Sequence, residues 1–328
     1  MELRKLYLEN FRNFNRFESD FKKTNIIIGP NASGKSNLLE AIYLLSTGRS
    51  FKTRLNKELV AFGKTFSRIA GRIKSLDKEA GIEIFLNLDL KTKELKKETK
   101  RKTRLVSVLF APGSLDLILG PPKIRRQSMN ILFALVYKKY VSILLEFIEV
   151  LRQRNKLLLL LKESRATPPE LSFWNRELSS KSVFLQKSRR QLLEQINAFL
   201  PRRYKIIYRP SVFRNETRRE IEAGFTLWGP QKDDFIFVKD NLPLSAFGSR
   251  GEIREAVFFY KLAEWKYLKE KTNEAPVLLL DDIFSELDQK KKDNLLRFIN
   301  LTQTILTTTS LSSLSPEIIK EAKIIELK

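Results

Sequence analysis

The residues best equipped for chemistry stand in one octapeptide, Gly29-Pro30-Asn31-Ala32-Ser33-Gly34-Lys35-Ser36, with the spacing G-x-x-x-x-G-K-S. Glycines at 29 and 34 let backbone amides turn inward around a phosphate, and a helix start adds partial positive charge there. Lys35 would reach the β and γ phosphates, and the Ser36 hydroxyl would ligate magnesium. The octapeptide therefore predicts a site for ATP and Mg2+. Its expected partner is Val277-Leu278-Leu279-Leu280-Asp281-Asp282. An apolar strand would deliver Asp281 to the metal, directly or through water, and Asp282 would orient the attacking water. Lys35, Asp281 and Asp282 are the candidate catalytic residues, and Ser36 and Asp281 the candidate metal ligands.

A third segment, Ser249-Arg250-Gly251-Glu252, has the spacing of a helix capping box. The helix behind it would bury Ile253, Ala256, Val257, Tyr260, Ala263 and Tyr267 on one side. A capped helix is one reading. The other is a signature segment whose Ser249, Gly251 and helix amides serve a γ-phosphate. The order of loop, signature and acidic strand suits ABC-type ATPases, in which the signature serves the nucleotide of a second protomer. In such a dimer Ser285-Glu286-Leu287-Asp288 would lie at the interface.

These residues need strands and helices to place them. Residues 3–8 and 25–28 read as strands, the second ending in Gly29-Pro30, and a helix is expected from Lys35 to Leu45. Residues 82–90 alternate, with Ile82, Ile84, Leu86, Leu88 and Leu90 on one side. The tract Lys91–Arg104 holds eight basic residues and two acids and reads as an exposed hairpin or loop, either solvated or in contact with phosphates. From Lys123 to Leu200 the pattern is helical. Leu144, Phe147, Ile148 and Leu151 share a face, Thr167-Pro168-Pro169 breaks the run, and a second helix over 173–199 carries Leu178, Val183, Leu185, Leu192 and Ile196. Strands resume near 205–208, 235–239, 277–280, 303–307 and 323–327. The alternation implies a mostly parallel sheet.

The chain has 328 residues, no cysteine and no histidine. Disulfides, thiolate metal sites and histidine bases are excluded. The leucine run at 157–161 is far short of a membrane span, and the first residues carry no apolar signal core. A cytoplasmic protein without a membrane partner is expected. Lysine and arginine total 61 against 38 acids, a net charge of +23. Such an excess points to a polyanion, with nucleic acid first.

The motifs resemble the RecF family of bacterial DNA replication and repair proteins over nearly the whole chain. Leu8-Glu9-Asn10-Phe11-Arg12-Asn13-Phe14, Ser46-Thr47-Gly48-Arg49-Ser50-Phe51-Lys52-Thr53, the stretch Pro112–Arg126, Arg152-Gln153-Arg154-Asn155, Gly229-Pro230-Gln231-Lys232-Asp233-Asp234 and Leu279–Asp288 carry the likeness. Gln231-Lys232 stand where the family has His-Arg, and Glu252 where it has glutamine. The resemblance implies an α/β fold, a P-loop ABC-type, Rad50-head-like ATPase domain with an inserted, mainly helical arm. Residues 1–112 and 206–328 would form the head and 113–205 the arm. It implies Arg12 and Arg49 near the nucleotide, ATP sandwiched in a homodimer, slow DNA-dependent hydrolysis, and binding to single-stranded, duplex or gapped DNA. It further implies RecR and RecO as partners, recombinase loading and support of the SOS response. Other heads of the SMC or Rad50 kind insert hundreds of coiled-coil residues, whereas about 210 separate Ser36 from Ser249 here. A transporter ATPase subunit fits the basic charge and the arm poorly.

Overall fold

The structure is a computed structural model that describes residues 1–53, 55–76, 78–89, 95–101, 103–212, 217–284 and 289–328. Along the chain the first elements are β1 (Glu2–Phe11), β2 (Phe14–Asp20), β3 (Thr24–Ile28), α1 (Lys35–Thr47), β4 (Phe66–Ser75), β5 (Lys78–Leu88), β6 (Leu95–Arg101) and β7 (Ser107–Phe110). Then come α2 (Asp116–Leu119), α3 (Pro122–Val136), α4 (Lys138–Lys162), α5 (Leu171–Ala198), β8 (Tyr204–Arg209), α6 (Thr217–Ala223), β9 (Asp234–Lys239), β10 (Leu242–Pro243), α7 (Leu244–Phe247) and α8 (Arg250–Thr272). The chain closes with β11 (Val277–Asp281), α9 (Gln289–Leu301), β12 (Thr304–Thr308), α10 (Pro316–Glu321) and β13 (Lys323–Glu326). It divides into two compact units, Met1–Ser114 with Leu268–Lys328, and Leu115–Tyr267.

The first unit has two sheets. One is parallel, in the order β13-β3-β12-β11-β7. Its central strands read as continuous apolar runs because both faces are covered, and every residue of β11 and β12 is buried. The other is antiparallel, in the order β2-β1-β4-β5-β6. Helix α1 buries Leu38, Leu39, Ala41, Ile42, Leu44 and Leu45 in the core that both sheets share. A helix apolar on nearly all sides must be covered on nearly all sides. Each of these aliphatic side chains contributes about 1.5–3 kcal/mol through burial.

The antiparallel sheet corrects the expectation of a mostly parallel one. Strand β4 faces the core with Ser67, Ile69, Gly71 and Ile73, and the serine and glycine dilute the alternation that marks a strand. Ile82, Ile84 and Leu86 are buried in β5 as expected. Within the basic tract, residues 95–101 form β6, which pairs antiparallel with β5 and exposes Lys96 and Lys100. Leu90, residues 91–94, Lys102 and the segment Ser285–Asp288 lie outside the described residues.

In the second unit α4 and α5 pack side by side, joined by the Thr167-Pro168-Pro169 break. Thr167 and Glu170 form a reciprocal capping box that restarts the helix. Leu178, Leu185, Leu192 and Ile196 are buried, but Val183 is exposed, and Ile148 of α4 also faces solvent. The three-stranded sheet β10-β9-β8 and α8 as far as Tyr267 belong to this unit. The second boundary thus falls at 267, not at 205. Asn197 at the end of α5 bonds both the N–H and the carbonyl of Ile206, and Tyr204 donates to Glu255 of α8, so strand and helix side chains fasten the sheet to the helices. No helix among the described residues is long and apolar enough to cross a membrane.

Candidate nucleotide-binding site

Strand β3 ends at Ile28 and α1 begins at Lys35, so the loop between them spans the C-terminal edge of the parallel sheet. Gly34 adopts φ +105 and Ala32 φ +67, the left-handed turns that curl the loop. A Cβ on Gly34 would meet the side-chain amide of Asn13 at 2.5 Å, so a substitution there would displace that amide as well as strain the backbone at its positive φ. Lys35 is buried, and its Nζ donates to the carbonyls of Gly29 and Pro30, both at 2.7 Å. Pro30, Asn31 and Ala32 at the crown are exposed, while Ser33 is half-buried.

Strand β11 delivers Asp281 to the same edge. The Ser36 hydroxyl donates to Asp281 Oδ1 at 2.7 Å, across 245 residues of sequence. Adjacent ligands of an octahedral magnesium at 2.0–2.1 Å are about 2.9 Å apart, so this hydroxyl and carboxylate already have the spacing of two neighbouring ligands. The donor set, all oxygen, also suits a hard cation. Thr307 of β12 completes the arrangement. Its hydroxyl donates to Asp281 Oδ1 at 2.9 Å and accepts the Asp282 N–H at 3.0 Å. Asp282 adopts φ +52, an uncommon conformation for aspartate that the Thr307 hydrogen bond helps to hold.

Arg12 sits beside the loop, and its guanidinium is engaged. It donates twice to the fully buried carboxylate of Glu40, at 2.9 and 2.8 Å, and once to the Glu58 carbonyl at 2.9 Å. The Ser50 hydroxyl reaches the same Glu40 carboxylate. Arg49 is exposed, and its charge helps lower the pKa of Lys97, behind the larger effect of desolvation. Lys97 donates to the Gly48 carbonyl at the end of α1, which ties the basic hairpin to the helix. Of the residues expected at the site, the octapeptide, Asp281, Asp282 and Arg12 converge in this unit. Thr307 and Glu40 were missed. A threonine at the end of an apolar strand has no distinctive spacing, and Glu40 meets Arg12 only through the fold.

Ser249 and Gly251 belong to the second unit. Glu252 accepts from the Ser249 N–H at 2.9 Å, and the Glu252 N–H donates to the Ser249 hydroxyl at 3.3 Å, the expected capping box. Lys239 pairs with the other carboxylate oxygen. The Lys239 hydrogen bond, followed by those from Ser249, lowers the Glu252 pKa to about 2 from an ordinary 4.5. A depressed carboxylate supports the fold above its unfolded pKa, and that support is lost as the pH falls toward 2. In a Lys239→Met protein the Glu252 carboxyl should titrate closer to the ordinary range, as followed by its 13C shift against pH. An unmoved midpoint would assign the depression to the cap alone.

Two of the family-like stretches of this unit meet each other. Arg125 donates twice to Asp234, at 2.6 and 3.0 Å, and Arg126 donates to the Asp233 carbonyl at 2.8 Å. The Asp233 carboxylate is fully buried. It accepts from Arg189 at 2.8 Å, Gln186 at 2.8 Å, the Ser211 N–H at 2.8 Å and the Tyr208 hydroxyl. Arg154 is likewise fully buried, donating to Glu220, Thr226 and Asn175. These runs therefore hold helices and strands together inside the unit.

A family model described as an AAA ATPase domain matches residues 1–305. A curated DNA replication and repair protein RecF from Lactobacillus gasseri is 33% identical, over 99% of this chain and 96% of its own. The protein of the same name from Bacillus cereus is 31% identical, over 100% of this chain and 97% of its own. The solved structure of "the recombination mediator protein RecF-ATP in RecFOR pathway" superposes with a TM-score of 0.84 at 29% identity, covering 95% of this chain and 93% of that one.

Proposed function

Because the chain belongs to the RecF family, we propose that it is an ATP-dependent DNA-binding protein of recombinational repair and replication. The observation that carries the reading is the Ser36–Asp281 pair, a hydroxyl and a carboxylate 2.7 Å apart beside a glycine-turned loop with Lys35 at its base. Gly29–Ser36 would cradle the triphosphate, and Ser36 and Asp281 would hold Mg2+. The metal, when bound, neutralises charge on the phosphate oxygens. Lys35 would turn its ammonium to the β and γ phosphates, Asp282 would orient water, and Thr307 would keep both acids in place. Arg12, anchored by Glu40, would flank the nucleotide, and Arg49 would stand at its rim.

Ser249 and Gly251 would complete the nucleotide site of a second copy, so that ATP closes a homodimer and hydrolysis, slow and DNA-dependent, reopens it. The protein would act in the cytoplasm on single-stranded, duplex or gapped DNA, with RecR- and RecO-type partners. It would help place the recombinase and so support the SOS response. Light scattering with and without ATP and Mg2+ tests dimerisation, and a protein that stays monomeric at saturating ATP overturns it.

The net charge of +23 supports contact with nucleic-acid phosphates. Each phosphate neutralised on duplex DNA adds about −0.9 to the slope of log K against log salt. A contact through six or more phosphates would cost about a thousandfold in affinity or more between 50 and 200 mM salt. Fluorescence anisotropy on duplex, single-stranded and gapped oligonucleotides measures this slope, and a flat response would remove the phosphate-contact argument.

A further inference from the structure

Three side chains link the segment after α1 to the phosphate loop. Lys52 Nζ donates to Asn37 Oδ1 at 2.7 Å, Asn37 Nδ2 donates to Asn13 Oδ1 at 2.8 Å, and Asn13 Nδ2 donates to the Ser33 carbonyl at 3.1 Å. The two ends of this relay are chemically unlike. An ammonium can only donate, and a backbone carbonyl can only accept. A side-chain amide can face either way, so each asparagine alone leaves its orientation open. With a pure donor at one end and a pure acceptor at the other, a single polarity satisfies all three bonds.

That polarity bears on the phosphate loop. Across a planar trans peptide the carbonyl and the following N–H point in opposite directions. Holding the Ser33 carbonyl on Asn13 therefore aims the Gly34 N–H the other way, away from Asn13. Gly34 permits the approach, since any Cβ there would collide with the Asn13 amide. The Lys52 segment is itself fixed. The Ser50 hydroxyl reaches Glu40 and accepts the N–H groups of Lys52 and Thr53, both at 2.9 Å. Desolvation lowers the Lys52 pKa against the opposing charges of Glu40 and Asp281, which places its ammonium in the field of the nucleotide site.

We propose that Lys52 is a positioning residue for nucleotide binding, setting the direction of the Lys52–Asn37–Asn13 relay and through it the orientation of the Ser33–Gly34 peptide. It rests on the reading of Gly29–Ser36 as a nucleotide site. Were Asn37 to reverse, Asn13 would follow and turn its oxygen toward the Ser33 carbonyl, and the peptide would have to rotate its N–H away from phosphate.

The test is calorimetric titration of the full chain with ADP and Mg2+, free of any dimerisation that ATP brings. Lys52→Met and Asn13→Ala should each weaken ADP by about fivefold, the scale of one hydrogen bond. The double variant should be no weaker than the weaker single, because both break one relay. Lys52→Arg, which still donates, should bind within about twofold of the parent. Additive losses in the double variant would assign Lys52 a direct charge effect and overturn the relay, as would parental affinity in Lys52→Met. Asn37→Asp keeps an acceptor for Lys52 but cannot donate to Asn13. It should lose about as much as Lys52→Met, and parental affinity there overturns the relay even if Lys52→Met does not fold. Failure of the parent chain to bind ADP would instead remove the nucleotide reading itself.

Discussion

Replacing Lys35 with alanine is expected to abolish nucleotide binding at micromolar concentrations and, with it, ATP-driven dimerisation. The ammonium is the one full positive charge built into the phosphate loop, and it lies buried with two backbone carbonyls as partners. Two charge-assisted bonds to phosphate oxygens at about 1.5–3 kcal/mol each correspond to a loss of roughly 10²- to 10⁴-fold. The loss should appear equally with ATP and ADP if Lys35 chiefly contacts the β phosphate, and more strongly with ATP if it chiefly contacts the γ phosphate. Calorimetry gives the affinities and light scattering the association state. A Lys35→Ala protein that still dimerises with ATP would sink the mechanism.

The second large effect is on stability. Asp233→Ala removes a buried carboxylate that serves Arg189, Gln186, Tyr208 and the Ser211 amide together. The arginine is then left buried without its counter-charge, which costs about 3–5 kcal/mol. For a unit of this size the thermal midpoint should fall by roughly 6–20 °C. Scanning calorimetry reads the fall. A midpoint within 2 °C of the parent, an outcome well outside that range, would mean that the Asp233 carboxylate does not hold this unit together. DNA affinity measured well below the midpoint should be close to that of the parent, because the carboxylate faces inward.

The contrast between these two residues shows what was legible in the sequence. Lys35 declares itself through local spacing: the glycines, the lysine and the hydroxyl lie within eight residues, between a β-branched run and a helical one. Asp281 is nearly as plain, since a strand buried on both faces must be apolar to its last residue and a charge at its end is conspicuous. Asp233 is different. Its motif could be matched to a family, but its job depends on Arg189 and Tyr208, which approach only when α5 and β8 pack. Arg154 behaves likewise: in sequence it belongs to a polar run on a helix, and in the fold it is buried against Glu220 of α6. The antiparallel sheet was half hidden because β2 is largely exposed and β4 turns a serine and a glycine to the core. The domain boundary was misplaced because strands β8 and β9 looked like a return to the head, when their partners are the helices before them and α8 after.

The strand order of the parallel sheet bears on how the chain is made. Strand β3, which ends in the phosphate loop, has β12 and β13 as its neighbours, and both lie beyond residue 303. A growing chain leaves the ribosome from its N-terminus at about 5–20 residues per second. The segment 24–28 therefore waits at least ~14 s for its first sheet partner at the faster rate, with its β-branched residues unsheltered. The nucleotide loop cannot be assembled as the nascent chain emerges. It is set only once residues beyond 303 have been made, so a chain cut before β12 would be unable to hold ATP however intact its octapeptide.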